Sequence, residues 1–258
     1  MTRYCSVALL LVVARLNAQQ PRDEHAVQPE RPTVATHAGT VATGWLEIET
    51  GIEHDRLGRA AATLSTPTVL KLGIADHAQL SIAATTLHAT GVTRFGDLTT
   101  GIKWRLLDGA PVVGNFAVLP SITFPTGAGD AGSGTTALSV LAISSHALGP
   151  VSMDLNVGYT RRGGDGARAP ATGTVWTASF GGPIAGIFGW AAECYGYPGT
   201  SGPAGQAPIV ALLAGPTALV RSWLAFDLGV IEPVSGPQPR ALYAGTVYNV
   251  GRVWRRTR

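Results

Sequence analysis

The chain has little charge and no long apolar run. Asp, Glu, Lys and Arg together make up 14% of its 258 residues, while 33 residues are Gly. That mixture is unusual for a cytosolic protein. The formal net charge is +3, but the basic residues are scattered and end in a short tail over residues 255–258. The charge therefore gives no reason to expect nucleic-acid binding.

Cysteine is almost absent, and the first of the two, Cys5, lies in a segment typical of an export signal. Arg3 supplies a positive charge, residues 6–13 form an apolar run, and Ala18 precedes a suitable cleavage point. The run is too short to span a bilayer. We predict a signal peptide over residues 1–18, whose removal leaves Cys194 without an intramolecular disulfide partner.

A helical repeat of apolar residues is also missing. Residues 19–42 are rich in Pro, Gln, Arg and Glu and show no apolar period, which predicts a flexible N-terminal segment. From residue 44 onward, short alternating segments recur with turn residues between them. The clearest is 97–106, followed by a turn at 108–111 and a second alternating run to Phe124. The predicted class is all-β, with antiparallel strands.

About twelve strands are predicted from the alternation and the turn signals. They cover residues 44–54, 66–75, 78–87, 97–107, 112–124, 136–147, 151–161, 174–180, 187–197, 209–215, 222–230 and 241–252. The connections between them alternate between long and short. Outer-membrane barrels have such alternation, with tight periplasmic turns and longer outer loops, whereas soluble sandwiches have no reason for it. We therefore predict a transmembrane β-barrel over residues 43–254, with a basic tail at 255–258.

Charges fall on one face of each strand, and only the uncharged face can meet lipid. Ile102 should therefore point into the bilayer and Lys103 into the lumen. The same rule predicts a set of polar residues that line the lumen or the substrate path: Glu47, Glu49, Glu53, Lys71, Asp97, Lys103, Arg105, Asn115, Asp154, Asn156, Glu193 and Asp227. Two readings of this set stay open, a solute path and a structural ion-pair network that plugs the lumen.

Aromatic residues lie near strand ends or on apolar faces, where amphipathic rings settle at a membrane interface. The residues so interpreted are Trp45, Trp104, Tyr159, Trp190, Trp223, Tyr243, Tyr248 and Trp254. Packing inside an aromatic core is the alternative for each of them.

Several segments, in order and spacing, resemble one family. They are residues 31–33, the strand 96–106, Pro125-Thr126-Gly127, residues 156–159, Glu193 before Tyr195-Gly196, and Phe226-Asp227-Leu228-Gly229. The chain resembles the outer-membrane proteins described as the MetA pathway of phenol degradation, from Arg31 to about Val250. The resemblance implies passive uptake of small, hydrophobic or aromatic molecules. Gln79 departs from the family, which tends to carry an acid there, and Trp254 is followed by four further residues where such barrels usually end on an aromatic.

Catalytic signals are few. Gly127 to Gly132 superficially matches a dinucleotide fingerprint but links two strands with no helix behind it. The six His have no ligand spacing, so no metal or other cofactor is predicted. Ser144 and His146 would share one face of a strand, as a lipid hydrolase requires, but no orienting third residue is evident. We expect a protein that is not an enzyme.

The sequence therefore predicts a channel or transporter in a Gram-negative outer membrane. Its expected partners are outer-membrane lipid, a small-molecule solute and the barrel-assembly machinery, without nucleic acid. Two alternatives stay open: a barrel-borne lipid hydrolase, and a structural or surface-binding barrel with a plugged lumen.

Overall fold

The computed structural model describes residues 23–31, 33–56, 62–89, 91–164, 170–199 and 207–254. The predicted signal peptide, residues 1–18, and the basic tail, residues 255–258, lie outside these ranges. The described residues contain no helix long and apolar enough to cross a bilayer. A single 3₁₀ turn over Gly129–Ala131 interrupts an otherwise all-β part of the chain.

Thirteen strands are present in the described residues: β1 Trp45–Arg56, β2 Thr63–Ala75, β3 Ala78–Ala89, β4 Val92–Phe95, β5 Leu98–Ala110, β6 Gly114–Phe124, β7 Ala137–Leu148, β8 Val151–Arg162, β9 Thr172–Ala185, β10 Phe188–Tyr197, β11 Ile209–Arg221, β12 Leu224–Ser235 and β13 Arg240–Arg252. Strands that follow one another in the chain pair antiparallel, except β4 and β5. The four-residue β4 pairs with β3 at one end, and β3 continues the sheet by pairing antiparallel with β5. β1 pairs with β13, which closes the sheet. The result is a closed barrel of twelve strands with β4 as a short extension, which confirms the predicted fold.

The two faces of the wall differ as the alternation predicts. On β5, Ile102 is 44% exposed on the outside, while Lys103 is fully buried on the inside. The outer face carries many exposed apolar side chains, such as Leu138, Val157 and Leu242. The inner face carries the buried charged ones. An apolar outside and a polar inside are the pattern of a barrel in lipid, the reverse of a soluble protein.

The barrel has two unlike ends. At the short-turn end, strands are joined by connections such as residues 76–77 and 222–223. Trp104, Trp190 and Trp254 lie on the side of this end, consistent with an aromatic belt at an interface. Trp45 and Trp223 lie at the same end but pack against His25, with ring centroids 4.8 Å and 6.0 Å from that of the imidazole. Tyr243 is an exception among the predicted interfacial aromatics, because its side chain is 2% exposed and packs inside the lumen.

Three strands run well beyond the ends that the sequence predicts. The predicted ends of β9, β11 and β12 are residues 180, 215 and 230. The strands continue to Ala185, Arg221 and Ser235. At Pro216 the chain still pairs with Trp190 of β10, while the ladder to β12 lapses between Ala214 and Thr217. A proline lacks only its own N–H, so one side of the strand stays paired.

Candidate functional site

The lumen is occupied by the stretch of chain that precedes β1. We call residues 25–31 and 33–43 the lumenal segment. It begins at the short-turn end, where the Val27 N–H donates to the Ser222 carbonyl at 2.7 Å. It ends there too, where the Thr43 hydroxyl donates to Asp76 at 2.9 Å. Between these points it rises to Glu193, near the middle of β10, and returns.

For residues 23–31 and 33–42, this arrangement differs from the flexible segment predicted over residues 19–42, while residues 19–22 and 32 lie outside the described residues. Without an apolar period the segment cannot pack on a hydrophobic core, but it does not need one. Its backbone N–H groups donate to polar side chains of the wall, five of them as follows: Gln28 to Glu47, Glu30 to Glu49, Val34 and Ala35 to Glu193, and Val41 to Gln79. Hydrogen bonds to charged acceptors contribute about 1.5–3 kcal/mol each. The carboxylates of the wall therefore hold the segment by its main chain.

Lys103 joins the two legs of the lumenal segment. Its Nζ forms a short ion pair with Glu30 on the first leg. It also donates to the His37 carbonyl at 3.0 Å on the second leg and lies 3.4 Å from the Thr36 hydroxyl. Both sides of this contact are removed from bulk water, since Lys103 is 0% exposed and Glu30 is 17% exposed. Lys103 thus fixes the folded-back shape of the segment.

Lys71 of β2 also binds the lumenal segment, at a position nearer the short-turn end. It pairs with Glu47 at 2.6 Å and with Glu49, both on the neighbouring strand β1. Its Nζ also donates to the Gln28 carbonyl. The Lys71 ammonium group is thereby paired with two carboxylates away from solvent, as a buried charge requires.

Arg31 fits a recess made by two glycines. Gly51 and Gly245 face each other across β1 and β13. A Cβ atom at Gly245 would lie 2.5 Å from Arg31 Nε, and its three closest neighbours would all belong to Arg31. The guanidinium thus occupies space that only a side-chain-free position leaves open. Its Nε lies 3.7 Å from Asp227 Oδ2, while Arg31 Nε and Asp227 Oδ1 have no hydrogen-bond partner.

Asn156 and Asp154 hold the second leg on the opposite wall. Asn156 accepts from the Thr36 N–H at 2.8 Å and donates to the Thr36 carbonyl at 2.9 Å. The Ala38 N–H donates to Ser145, whose hydroxyl in turn donates to Asp154. Glu53 lies nearer the long-loop end of β1, where it is paired in register with Tyr243 of β13.

Three of the twelve predicted residues make their polar contacts at the ends of the barrel and not with the lumenal segment. Asp97 belongs to the long-loop end, where its carboxylate accepts hydrogen bonds from Gly127 N and from the N–H and hydroxyl of Ser133. Arg105 pairs with Asp108 at 2.9 Å at the short-turn end. Asn115 accepts from Gly109 N in the adjacent turn. These three shape the two mouths of the barrel.

Sequence reasoning missed the residues of the lumenal segment itself, above all Glu30, Arg31 and Thr36. One signal was present. The predicted lining contains more carboxylates than cations, and buried carboxylates need donors. In the structure the main-chain N–H groups of the segment supply them.

Several cavities border the segment in the short-turn half. One of about 1180 Å³ lies toward β5–β8 and is lined by His37, Arg105, Asn115 and Asp154 among others. Another of about 350 Å³ lies toward β9–β13 and is lined by Val27, Pro29, Arg31, Ala225 and Asp227 among others. The lumen is therefore divided by the segment but not filled solid.

Ser144 and His146 do share the outer face of β7, with Ser144 Oγ 2.8 Å from His146 Nε2. The Ser144 hydroxyl also lies 2.9 Å from the Val113 carbonyl. Within the described residues, His146 Nδ1 makes no hydrogen bond to a carboxylate or an amide, the group that would orient the ring for catalysis. Nor do three His, Cys, Asp or Glu side chains converge as metal ligands in this part of the chain.

These features define a membrane-type β-barrel with an internal segment in its lumen. The family model described as "Putative MetA-pathway of phenol degradation" matches residues 30–230. The chain belongs to this family, as the resemblance of its strand motifs predicts. No curated protein sequence gave a match.

Solved barrels share the fold. The COG4313 outer membrane channel from Pseudomonas putida F1 is 11% identical, with 90% of this chain and 100% of that chain covered and a TM-score of 0.59. The KdgM porin is 9% identical, with 78% and 98% covered and a TM-score of 0.54. The NanC porin is 12% identical, with 79% and 98% covered and a TM-score of 0.52. At such identities the likeness is one of architecture.

Proposed function

We propose that this protein is an outer-membrane channel through which small molecules pass down their gradient, and that the lumenal segment limits the flux. The observation that carries the proposal is the closed barrel with lipid-compatible side chains outside and buried charges inside. The barrel lies in a Gram-negative outer membrane, with the short-turn end toward the periplasm. Outer-membrane lipid and the barrel-assembly machinery are its proposed partners, and we propose no enzymatic role.

The solute is proposed to be small and partly apolar. In the long-loop half, inward side chains of β10–β13 form an apolar cluster that includes Tyr195, Leu213, Ile231 and Tyr243. Porins for strongly hydrated solutes need a polar lumen along the whole path. An apolar wall on one side of this lumen instead favours solutes that shed water readily.

A second candidate function is a structural barrel whose lumen stays filled. The number of charged hydrogen bonds between the segment and the wall favours it, because each one opposes release of the segment.

Flux measurements separate the two candidates. The full chain is refolded into liposomes, and swelling is followed in isotonic solutions of small neutral solutes. A channel gives swelling rates above protein-free liposomes that fall as the solute grows larger. Absence of swelling for every solute, together with absence of current steps in a planar bilayer, would favour the structural barrel and overturn the channel.

A further inference from the structure

The lumenal segment places three consecutive main-chain N–H groups against one patch of the wall. The Val34 and Ala35 N–H groups each donate to one oxygen of the Glu193 carboxylate, at 2.7 and 2.8 Å. The Thr36 N–H donates to Asn156 Oδ1 at 2.8 Å. The two donors at Glu193 lie side by side, as the two N–H groups of a guanidinium do when they bind a carboxylate. The segment backbone thus stands in for a ligand that is rich in N–H donors.

The same patch contains a fourth acceptor, which the segment does not use. Thr177 Oγ1 is buried without a hydrogen-bond partner. Thr177 lies directly opposite Asn156 of β8. It is also a diagonal neighbour of Glu193, which lies opposite Ser179 on the same strand as Thr177. Diagonal neighbours on one face of a sheet are about 7–8 Å apart, within the span of a small bridging group. Since most buried polar atoms are paired in native proteins, the Thr177 hydroxyl calls for a bound group.

The charge of Glu193 is not balanced by a cation. Among the ion pairs of the described residues, none includes Glu193, and its donors are neutral N–H groups. Withdrawal of the segment would leave a carboxylate, an amide oxygen and a hydroxyl side by side without donors. A buried carboxylate needs donors, so the exposed patch favours a cation that carries several N–H groups.

A guanidinium group fits this patch better than an ammonium group does. It presents a flat fork of five N–H donors and has no acceptor. It is also more weakly hydrated than an ammonium. That property suits the position of Glu193, because Leu213 of the apolar cluster lies directly opposite it on β11. The patch therefore has acceptors on one side of Glu193 and an apolar surface on the other.

We propose that Glu193, Thr177 and Asn156 bind the guanidinium group of a small alkylguanidinium solute when the lumenal segment withdraws. Glu193 accepts two N–H groups of the fork, and Thr177 Oγ1 and Asn156 Oδ1 accept from the remaining N–H groups. The alkyl group lies toward the apolar cluster of β10–β13. The proposal rests on the proposed channel function, because the segment must leave the lumen, and it names a solute class for that channel.

Equilibrium binding to the full chain in lipid nanodiscs tests the site. Methylguanidinium and tetramethylammonium are the probes, because both carry one positive charge and only methylguanidinium has N–H donors. Isothermal titration calorimetry should show saturable binding of methylguanidinium, and binding of tetramethylammonium should be weaker by roughly tenfold or more, since hydrogen bonds to a charged group are lost. Equal affinity for the two probes would mean attraction by charge alone and would overturn the proposal.

The lumenal segment competes with the ligand for the same acceptors. The apparent affinity is therefore reduced by the fraction of molecules in which the segment is out of the lumen. Lys103→Met removes the side chain that joins the two legs of the segment, so it should strengthen methylguanidinium binding. Absence of binding to both the parent protein and Lys103→Met overturns the proposal.

Thr177→Val locates the binding, because the Thr177 hydroxyl makes no hydrogen bond to the lumenal segment. The variant should leave the segment in place and weaken methylguanidinium binding by roughly fivefold. Thr123→Val is the matched control, since Thr123 lies on the inner face of β6 and its hydroxyl bonds only to that of Thr99. Binding to Thr177→Val at the parent affinity would overturn the proposal.

Glu193→Gln provides a second test in which the two effects have opposite signs. It loosens the segment, which alone would strengthen binding, but it removes the carboxylate and should weaken methylguanidinium binding by roughly tenfold. Should this variant fail to fold, Thr177→Val decides alone. Flux of neutral solutes without methylguanidinium binding refutes the site and keeps the channel, while binding without any flux refutes the channel and keeps the site.

Discussion

Lys103→Met should release the lumenal segment while leaving the barrel closed. Methionine keeps most of the side-chain length but removes the ion pair with Glu30 and the hydrogen bond to the His37 carbonyl. Removing one partner of a buried ion pair costs about 3–5 kcal/mol, because the other charge is left unpaired. Glu30 is 17% exposed and can move toward water with the segment, so the lower value, about 3 kcal/mol, applies. At about 1.4 kcal/mol per factor of ten, the segment should be out of the lumen roughly 100 times more often.

Cysteine labelling measures that change directly. Ala35 is 2% exposed at the top of the segment. In an Ala35→Cys, Cys194→Ser protein, a membrane-impermeant maleimide reacts only when the segment leaves. Lys103→Met should raise the labelling rate about 100-fold and raise the open probability of single channels. Arg240→Met is the control, because its pair with Glu232 is exposed on both sides and such pairs contribute little.

A closed Lys103→Met barrel with unchanged labelling and conductance would refute the role of Lys103. The barrel of Lys103→Met should still migrate differently before and after boiling, which shows that it is closed. If such a closed barrel labels at the parent rate and conducts as the parent does, Lys103 does not hold the segment. The ion pair with Glu30 would then contribute too little to keep the segment in the lumen.

Three further outcomes are expected. The side chain added in Gly245→Val should collide with Arg31, which should raise the labelling rate of Ala35→Cys and lower the stability of the barrel. Adding Arg31→Ala removes the collision and should return the stability to near the parent value, as measured by urea titration in lipid. Burial raises the pKa of Asp97, but hydrogen bonds from Ser133 and Gly127 outweigh it and hold the pKa below its usual value. The loop contact is therefore stable at neutral pH and is lost as the pH falls through that lowered pKa. Limited proteolysis of residues 125–136 should accelerate in acid, and in Asp97→Asn at neutral pH too. Ile102→Arg should destabilise the barrel by about 2–4 kcal/mol if the site lies near the bilayer midplane, and tolerance of it would mean that Ile102 does not face lipid.

The barrel could be predicted from the sequence because its wall follows a local rule. A side chain on a strand faces one way or the other with period two, so Ile102 and Lys103 reveal their sides from neighbouring positions alone. Loop lengths then give the connectivity. The ends of β9, β11 and β12 were the exception. Each strand continues through a proline, and whether a proline ends a strand depends on which neighbour needs its missing N–H.

The lumenal segment could not be predicted in the same way. Its contacts are made mainly by backbone N–H groups, which every residue except proline has and which leave no pattern in the sequence. Val34 and Ala35 bind Glu193 through their main chain, although their side chains have nothing to offer a carboxylate. Partners separated by some 160 residues, as Val34 and Glu193 are, come together only once the barrel is closed.

The two ends of the lumenal segment leave the barrel at the same mouth. Val27 is bound at Ser222 and Thr43 at Asp76, so no free terminus has to be threaded through the ring of strands. The segment can withdraw and return as a loop while every strand pair stays intact. Since Gly44 tethers it to β1, its return is a unimolecular event at a high effective concentration. Closure of the pore should therefore be fast, and independent of how much protein the membrane holds.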